Sequence, residues 1–135
     1  VRHWLVKQEP EAYSFEDFRA HRTTAWDGVR NAGARIHLRA MAVGDAVLWY
    51  ATGKSKAVIG TATIARAAYP DPGDAAWVAV DLRAGKALKT PVTLAQVRAD
   101  ALLAKTSLVT QTRLSVMPLD ARQHARFLEL GGLTE

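Results

Sequence analysis

Trp26 stands beside the turn pair Asp27-Gly28 and is followed by Arg30, Asn31, Arg35 and Arg39. Tryptophan offers the widest aromatic face for stacking, and a base stacked on an aromatic side chain is worth about 1–3 kcal/mol. Asparagine presents both a donor and an acceptor to a base edge. Arginines bring the positive charge that phosphate contact requires. The stretch therefore holds the parts of a nucleobase site. It reads equally as a core aromatic, a helix cap at Asn31 and a solvated helix face, with Arg30 either reaching a phosphate or pairing locally with Asp27. Lys7 and Glu9 lie past the apolar part of a strand, where a strand end can open into a cavity or simply face solvent. Tyr50 carries a ring and a hydroxyl that suit a pocket, but it also ends the core-like run Leu48-Trp49-Tyr50. Arg113 and Ser115 alternate and are expected to share one polar strand face.

Charge supports an anionic partner. The chain carries a formal net charge of +5, and between Arg19 and Arg39 five arginines (Arg19, Arg22, Arg30, Arg35, Arg39) face one acid, Asp27. Other chemistries are not visible. There is no cysteine, which excludes disulfides and thiolate zinc sites. His3, His21, His37 and His124 show no metal-ligand spacing, so no metal is expected. There is no Gly-rich phosphate loop and no GxSxG elbow, so neither a cofactor nor a catalytic triad is expected. The acid pairs Glu9/Glu11 and Glu16/Asp17 suit helix starts and their dipoles. No apolar run approaches the ~20 residues of a membrane span, and no secretory leader is evident. The expectation is therefore no membrane and a cytoplasmic location, with nucleoid association open.

These side chains need elements to hold them. At 135 residues, 49% hydrophobic and 23% charged, the chain fits one globular domain, 1–135. "HWLVKQ" alternates as a strand, with Trp4 and Val6 on one side and His3, Leu5 and Lys7 on the other. "YSFEDFRAH" reads as a helix capped by Ser14, with Asp17 in capping-box position. "TTAW" is a short strand ended by Asp27-Gly28. A second helix starts near Asn31 and ends before Gly44, with Ala34, Leu38 and Met41 as its apolar stripe and Arg35 and Arg39 at four-residue spacing on another face. "DAVLWYA", "AVIGTATIARAAY" and "WVAVDL" read as strands, "TGKSK" as a turn and "YPDPGD" as a loop. "VTLAQVRAD" is a short helix behind Pro91 with Thr93 as its cap. "RLSVMP" is the last strand, and "DARQHARFLELGG" is a closing helix with an Asp120/Gln123 capping box and Gly131 as its stop. Short strands mixed with short helices indicate an α+β fold around a small curved sheet or barrel.

Three stretches, "WLVKQEP" (4–10), "WDGVRN" (26–31) and "TRLSVMP" (112–118), resemble the EVE domain family of the PUA-like superfamily. "LRAMAVGD", "AYPDP" and "PVTLAQVRAD" support the resemblance, which covers essentially the whole chain in order. It implies a PUA-like mixed β-barrel flanked by short helices, close to the YTH domains that read methylated adenosine in RNA. It also implies a non-catalytic reader that flips a modified base, foremost 5-methylcytosine or an oxidised form in DNA, into an aromatic and polar pocket. On this pattern Trp26 stacks the base, Asn31 and Ser115 read its edge, and Lys7, Glu9, Arg30, Tyr50 and Arg113 complete the ligand site. Arg35, Arg39, Lys54 and Lys56 supply phosphate contacts. Four departures fall near the expected site. Gln8 stands where serine is usual, Ala51 and Thr52 follow Tyr50 in place of histidine and serine, Met117 replaces glutamine, and "NAGAR" replaces "NYQAR". Two other readings stand beside this one. The first is an accessory domain for modified RNA. The second is a small ASCH-like amidohydrolase acting on acylated cytidine, with Lys7, Glu9 and Thr24 or Thr52 enlisted.

Overall fold

In the computed structural model, residues 1–133 are described, so the last two positions of the expected 1–135 domain lie outside the described residues. The chain runs β1 (His3–Gln8), α1 (Phe15–His21), β2 (Thr23–Trp26), α2 (Ala32–Ala40), β3 (Ala46–Ala51), β4 (Ala57–Asp71), β5 (Asp74–Thr93), α3 (Leu94–Ala99), a 3-10 turn (Leu103–Lys105), α4 (Ser107–Thr110), β6 (Val116–Leu119) and α5 (Ala121–Leu130). The strands form one six-stranded sheet in the order β2-β5-β4-β3-β1-β6. Every ladder is antiparallel except β1 with β3, which pair in parallel with Lys7 opposite Tyr50. The α+β class is as expected. The sheet curls without closing, because its end strands β2 and β6 do not pair with each other.

Four helix starts follow from short polar side chains that bond back to the first turn. Ser14 accepts from the Asp17 amide at 3.0 Å and Asn31 from the Ala34 amide at 2.9 Å. Thr93 with Gln96 and Asp120 with Gln123 close reciprocal capping boxes. Each such cap stabilises by about 0.5–2 kcal/mol. Ala34 and Leu38 bury the inner stripe of α2, while Met41 lies just past its end in extended conformation and is still buried.

β1 is buried on both faces. Trp4, Leu5 and Val6 are all in the core although successive side chains point to opposite sides, so the strand lies between two layers rather than on a solvated face. The sheet's long hairpin differs most from expectation. "YPDPGD" is not a loop, since β4 and β5 run up to Asp71 and Asp74 and leave only Pro72-Gly73 as a turn. β5 continues through 83–93, and its register shifts between Val58 and Gly60 and again beyond Ile64 bend the hairpin. β6 starts at Val116, three residues later than "RLSVMP" suggests, so Arg113 and Ser115 lie in the preceding turn and bend.

Candidate functional site

An aromatic cluster fixes Trp26. Trp49 on β3 is 1% exposed, stacks on Phe18 with centroids 4.8 Å apart, and meets Trp26 edge-on at 5.3 Å. Phe15 completes the cluster against Trp49 at 5.6 Å, and it fits only because residue 60 is glycine. A Cβ there would lie 2.1 Å from its ring. Trp26, at the end of β2 opposite Val80, is 7% exposed. It is thus a core aromatic whose remaining surface lines a cleft of about 340 Å³, with Gln8, Tyr13, Thr24 and Asp27 as the polar rim. The Tyr13 hydroxyl and His21 Nδ1, 2.8 Å apart, hold one side of that rim.

The segment after Trp26 is tied down from a distance. Arg30 does not pair with Asp27. Its Nη1 donates at 3.0 Å to Asp71 Oδ2, which also accepts from the Gly28 amide at 2.8 Å. Asp71 Oδ1 accepts from the Gly73 amide at 2.7 Å, and the residue is 4% exposed. The Arg30 hydrogen bond, helped by the two amides, holds the Asp71 carboxyl well below the usual carboxylate range and raises Arg30 in turn. A partner with a free choice would be the adjacent acid. The hairpin tip wins because Asp71 is buried and already fixed by the Gly28 and Gly73 amides, whereas Asp27 is exposed to solvent.

A second cleft, of about 370 Å³, is lined by Asn31, Gly33, Gln111, Thr112, Arg113 and Leu114. Asn31 Oδ1 is committed to the cap of α2, which leaves its amide NH2 as the group free to donate. Gly33 keeps this cleft open, since a Cβ there would sit 3.2 Å from Asn31 Oδ1 and 3.4 Å from a Leu114 methyl. The end of β1 joins the two clefts. Gln8 lines the first, while Lys7 Nζ donates at 2.9 Å to the carbonyl of Thr112 in the second. The Lys7 amide also donates to the Ser115 carbonyl at 2.9 Å. Burial pushes the Lys7 ammonium below its ordinary pKa. Its nitrogen lies 6.0 Å from the centre of the Tyr50 ring. Burial likewise raises the Tyr50 phenol, with the Arg98 charge opposing. Tyr50 is 4% exposed and lines neither cleft.

The other expected site residues are dispersed. Glu9 is exposed and borders a separate small cleft with Thr52 and Lys54, and among the described residues no ion pair joins it to Lys7. Thr24 belongs to the Trp26 cleft, whereas Thr52 shares the small cleft with Glu9; Lys7 lines neither and bonds the Thr112 carbonyl, so the Lys, Glu and Thr of an amidohydrolase are not brought together. Arg113 and Ser115 do not share a strand face, because the chain turns there and pairs only from Val116 onward. Arg35 is not on a free edge of α2. Its guanidinium packs 4.6 Å from the Trp77 ring and Nη1 donates to the Ala76 carbonyl at 3.0 Å. Arg39 and Lys56 are exposed. Sequence reasoning missed Tyr13, Trp77 and Asp71 as parts of this region. "AYPDP" held the signal for Asp71, since an acid next to a tight turn is placed to bond nearby amides.

Known proteins resemble this chain in sequence and fold. The EVE domain family model matches residues 2–130. Human thymocyte nuclear protein 1 is 30% identical over 164 aligned positions, covering 95% of this chain and 73% of its own. Among solved structures, a Rhodopseudomonas palustris protein superposes with TM-score 0.94 at 45% identity, covering 100% of this chain and 96% of the other. Human THYN1 protein in complex with 5-methylcytosine containing DNA superposes with TM-score 0.91 at 29% identity, covering 100% of both chains. The PUA-like architecture is thereby borne out. An ASCH protein from Zymomonas mobilis, at TM-score 0.60 and 15% identity, shares the fold alone.

Proposed function

Since the chain belongs to the EVE domain family, we propose that it is a non-catalytic module that binds modified DNA and takes a flipped cytosine derivative into the Trp26 cleft. The observation that carries this reading is the cleft itself. It is an opening of about 340 Å³ lined by the packed Trp26, by the neutral polar side chains of Gln8, Tyr13 and Thr24, and by the carboxylate of Asp27. That volume lies within the ~300–1,000 Å³ of ordinary small-molecule sites. A whole-length relative bound to 5-methylcytosine containing DNA supports the same class of ligand.

The energetics suit the task. Extruding a base costs a few kcal/mol. Stacking on Trp26 returns about 1–3 kcal/mol, and each edge hydrogen bond from Gln8 or Thr24 about 0.5–1.5 kcal/mol. The Asn31 amide and Arg113, in the adjoining cleft, hold the remainder of the nucleotide. Lys7 fixes the Thr112–Arg113 turn through its bond to the Thr112 carbonyl. Burying one methyl group at cytosine C5 adds about 0.8 kcal/mol, or roughly a fourfold preference over cytosine.

The test is a titration of matched oligonucleotide duplexes carrying cytosine, 5-methylcytosine or 5-hydroxymethylcytosine, with RNA counterparts, followed by fluorescence anisotropy. Preference for a modified DNA duplex is expected. Equal affinity for all three DNA duplexes overturns the modified-base reading, and tighter binding of the RNA set overturns the choice of DNA.

A further inference from the structure

Three arginines outside the clefts described above converge on a fourth. Arg19 from α1, Arg22 from the α1–β2 junction and Arg83 from β5 line an opening of about 480 Å³ with Thr23. Among the described residues, none of these three side chains makes a hydrogen bond or an ion pair. Like charges gathered without a counter-charge repel one another, and the arrangement is relieved when an anion enters.

The backbone at Arg22 is the second observation. Arg22 is the C-cap of α1 with φ 69° and ψ −41°, a conformation that L side chains adopt at a cost and glycine adopts freely. Both sides of the residue are pinned. Its amide donates to the Phe18 carbonyl at 2.9 Å, and its carbonyl accepts from the Ala84 amide at 2.7 Å. Helices commonly end with glycine at such positions. Here the strained position holds an arginine, and that arginine lines the cleft.

The third observation is placement. β2 is an edge strand of four residues, with Thr23 at the arginine cleft and Trp26 at the other end in the base cleft. Three residue steps of extended strand span about 10 Å, roughly three nucleotide rises along a duplex strand. We infer that the Arg19–Arg22–Arg83 cleft is a phosphate-binding site for the nucleic-acid strand that flanks the flipped base. The inference rests on the nucleic-acid reading above and adds a hold on the sugar-phosphate backbone that neither "WDGVRN" nor the basic edge of α2 supplies.

Arg22→Gly is the informative variant, because it removes the charge and relieves the backbone together. Its melting temperature is expected to rise while its affinity falls. Affinity for cytosine and 5-methylcytosine duplexes should drop by the same factor, and the slope of log affinity against log salt should shrink by about 0.9 for each phosphate that is no longer neutralised. Arg83→Gln, away from the strained residue, should shrink the slope by a similar amount. Unchanged affinity and slope in both variants overturn the inference. A changed preference between the two duplexes also overturns it, since it would place Arg22 in base reading. Displacement of inorganic phosphate from Arg22 without any change in DNA affinity overturns the backbone assignment. If the wild-type protein fails to discriminate while both variants show the smaller slope, the modified-base reading falls and this site stands.

Discussion

Replacing Asn31 by aspartate separates two roles that one side chain combines. Its Oδ1 accepts from the Ala34 amide at 2.9 Å and starts α2, which leaves its NH2 as the donor of a residue that lines a cleft with Arg113. Aspartate caps a helix as well as asparagine does, and its charge favours a helix N-terminus. Asn31→Asp is therefore expected to keep the melting temperature of the wild type or to exceed it. Asn31→Ala loses the cap and should cost about 0.5–2 kcal/mol. Binding should behave differently. Asn31→Asp removes the donor and leaves an acceptor on the bound nucleotide unsatisfied, a cost of about 1–3 kcal/mol. At 1.4 kcal/mol per tenfold, affinity falls about 5- to 150-fold. Asn31→Ser keeps a neutral cap without the amide donors, so it separates donor loss from added negative charge. Thermal denaturation and anisotropy titration of the three variants read both quantities. Wild-type affinity in both Asn31→Asp and Asn31→Ser would refute the reasoning and leave Asn31 as a cap alone.

Gly60→Ala should destabilise by about 1–3 kcal/mol, visible as a melting temperature lower by several degrees, because its Cβ would collide with Phe15 at 2.1 Å; an unchanged melting temperature would contradict the packing described. Trp26→Ala should lose about 3–5 kcal/mol of stability as a buried aromatic, whereas Trp26→Phe keeps an aromatic ring against Trp49 and should lose affinity with a smaller loss of stability; calorimetry alongside titration separates the two. Acid should unfold the protein through Asp71, whose carboxyl is held below its ordinary pKa by Arg30 and the Gly28 and Gly73 amides. A depressed carboxyl stabilises the fold fully above its unfolded pKa of about 4 and progressively less below it. Stability measured from pH 6 down to pH 2 should therefore fall below about pH 4. Asp71→Asn should be less stable at neutral pH with a shallower acid slope, and an identical slope would count against this anchor.

What was legible in the sequence was local. Ser14, Asn31, Thr93 and Asp120 could be read as caps because each partner lies three residues away. The β4–β5 hairpin was less legible. Gly85 and Pro91 argue against a strand, yet residues 83–93 are recruited by pairing with β4, a non-local gain that propensity does not carry. The site divides along the same line. Trp26 and Asn31 were visible as residue types, but Arg30's true partner is 41 positions away. Tyr13 becomes part of the rim only because α1 folds back over Trp49. Arg35 has the helical spacing of a phosphate ligand, yet Trp77 comes from β5 to cover it.

The most direct test of the central claim is an NMR titration of the indole Nε1–H of Trp26, assigned by its disappearance in Trp26→Phe, with a 5-methylcytosine duplex and its cytosine match. The account predicts saturable shifts at Trp26, Gln8 and Thr24 with the modified duplex, and weaker ones with the match at equal concentration. Largest shifts elsewhere, with Trp26 unmoved at saturation, would contradict entry of the base into this cleft.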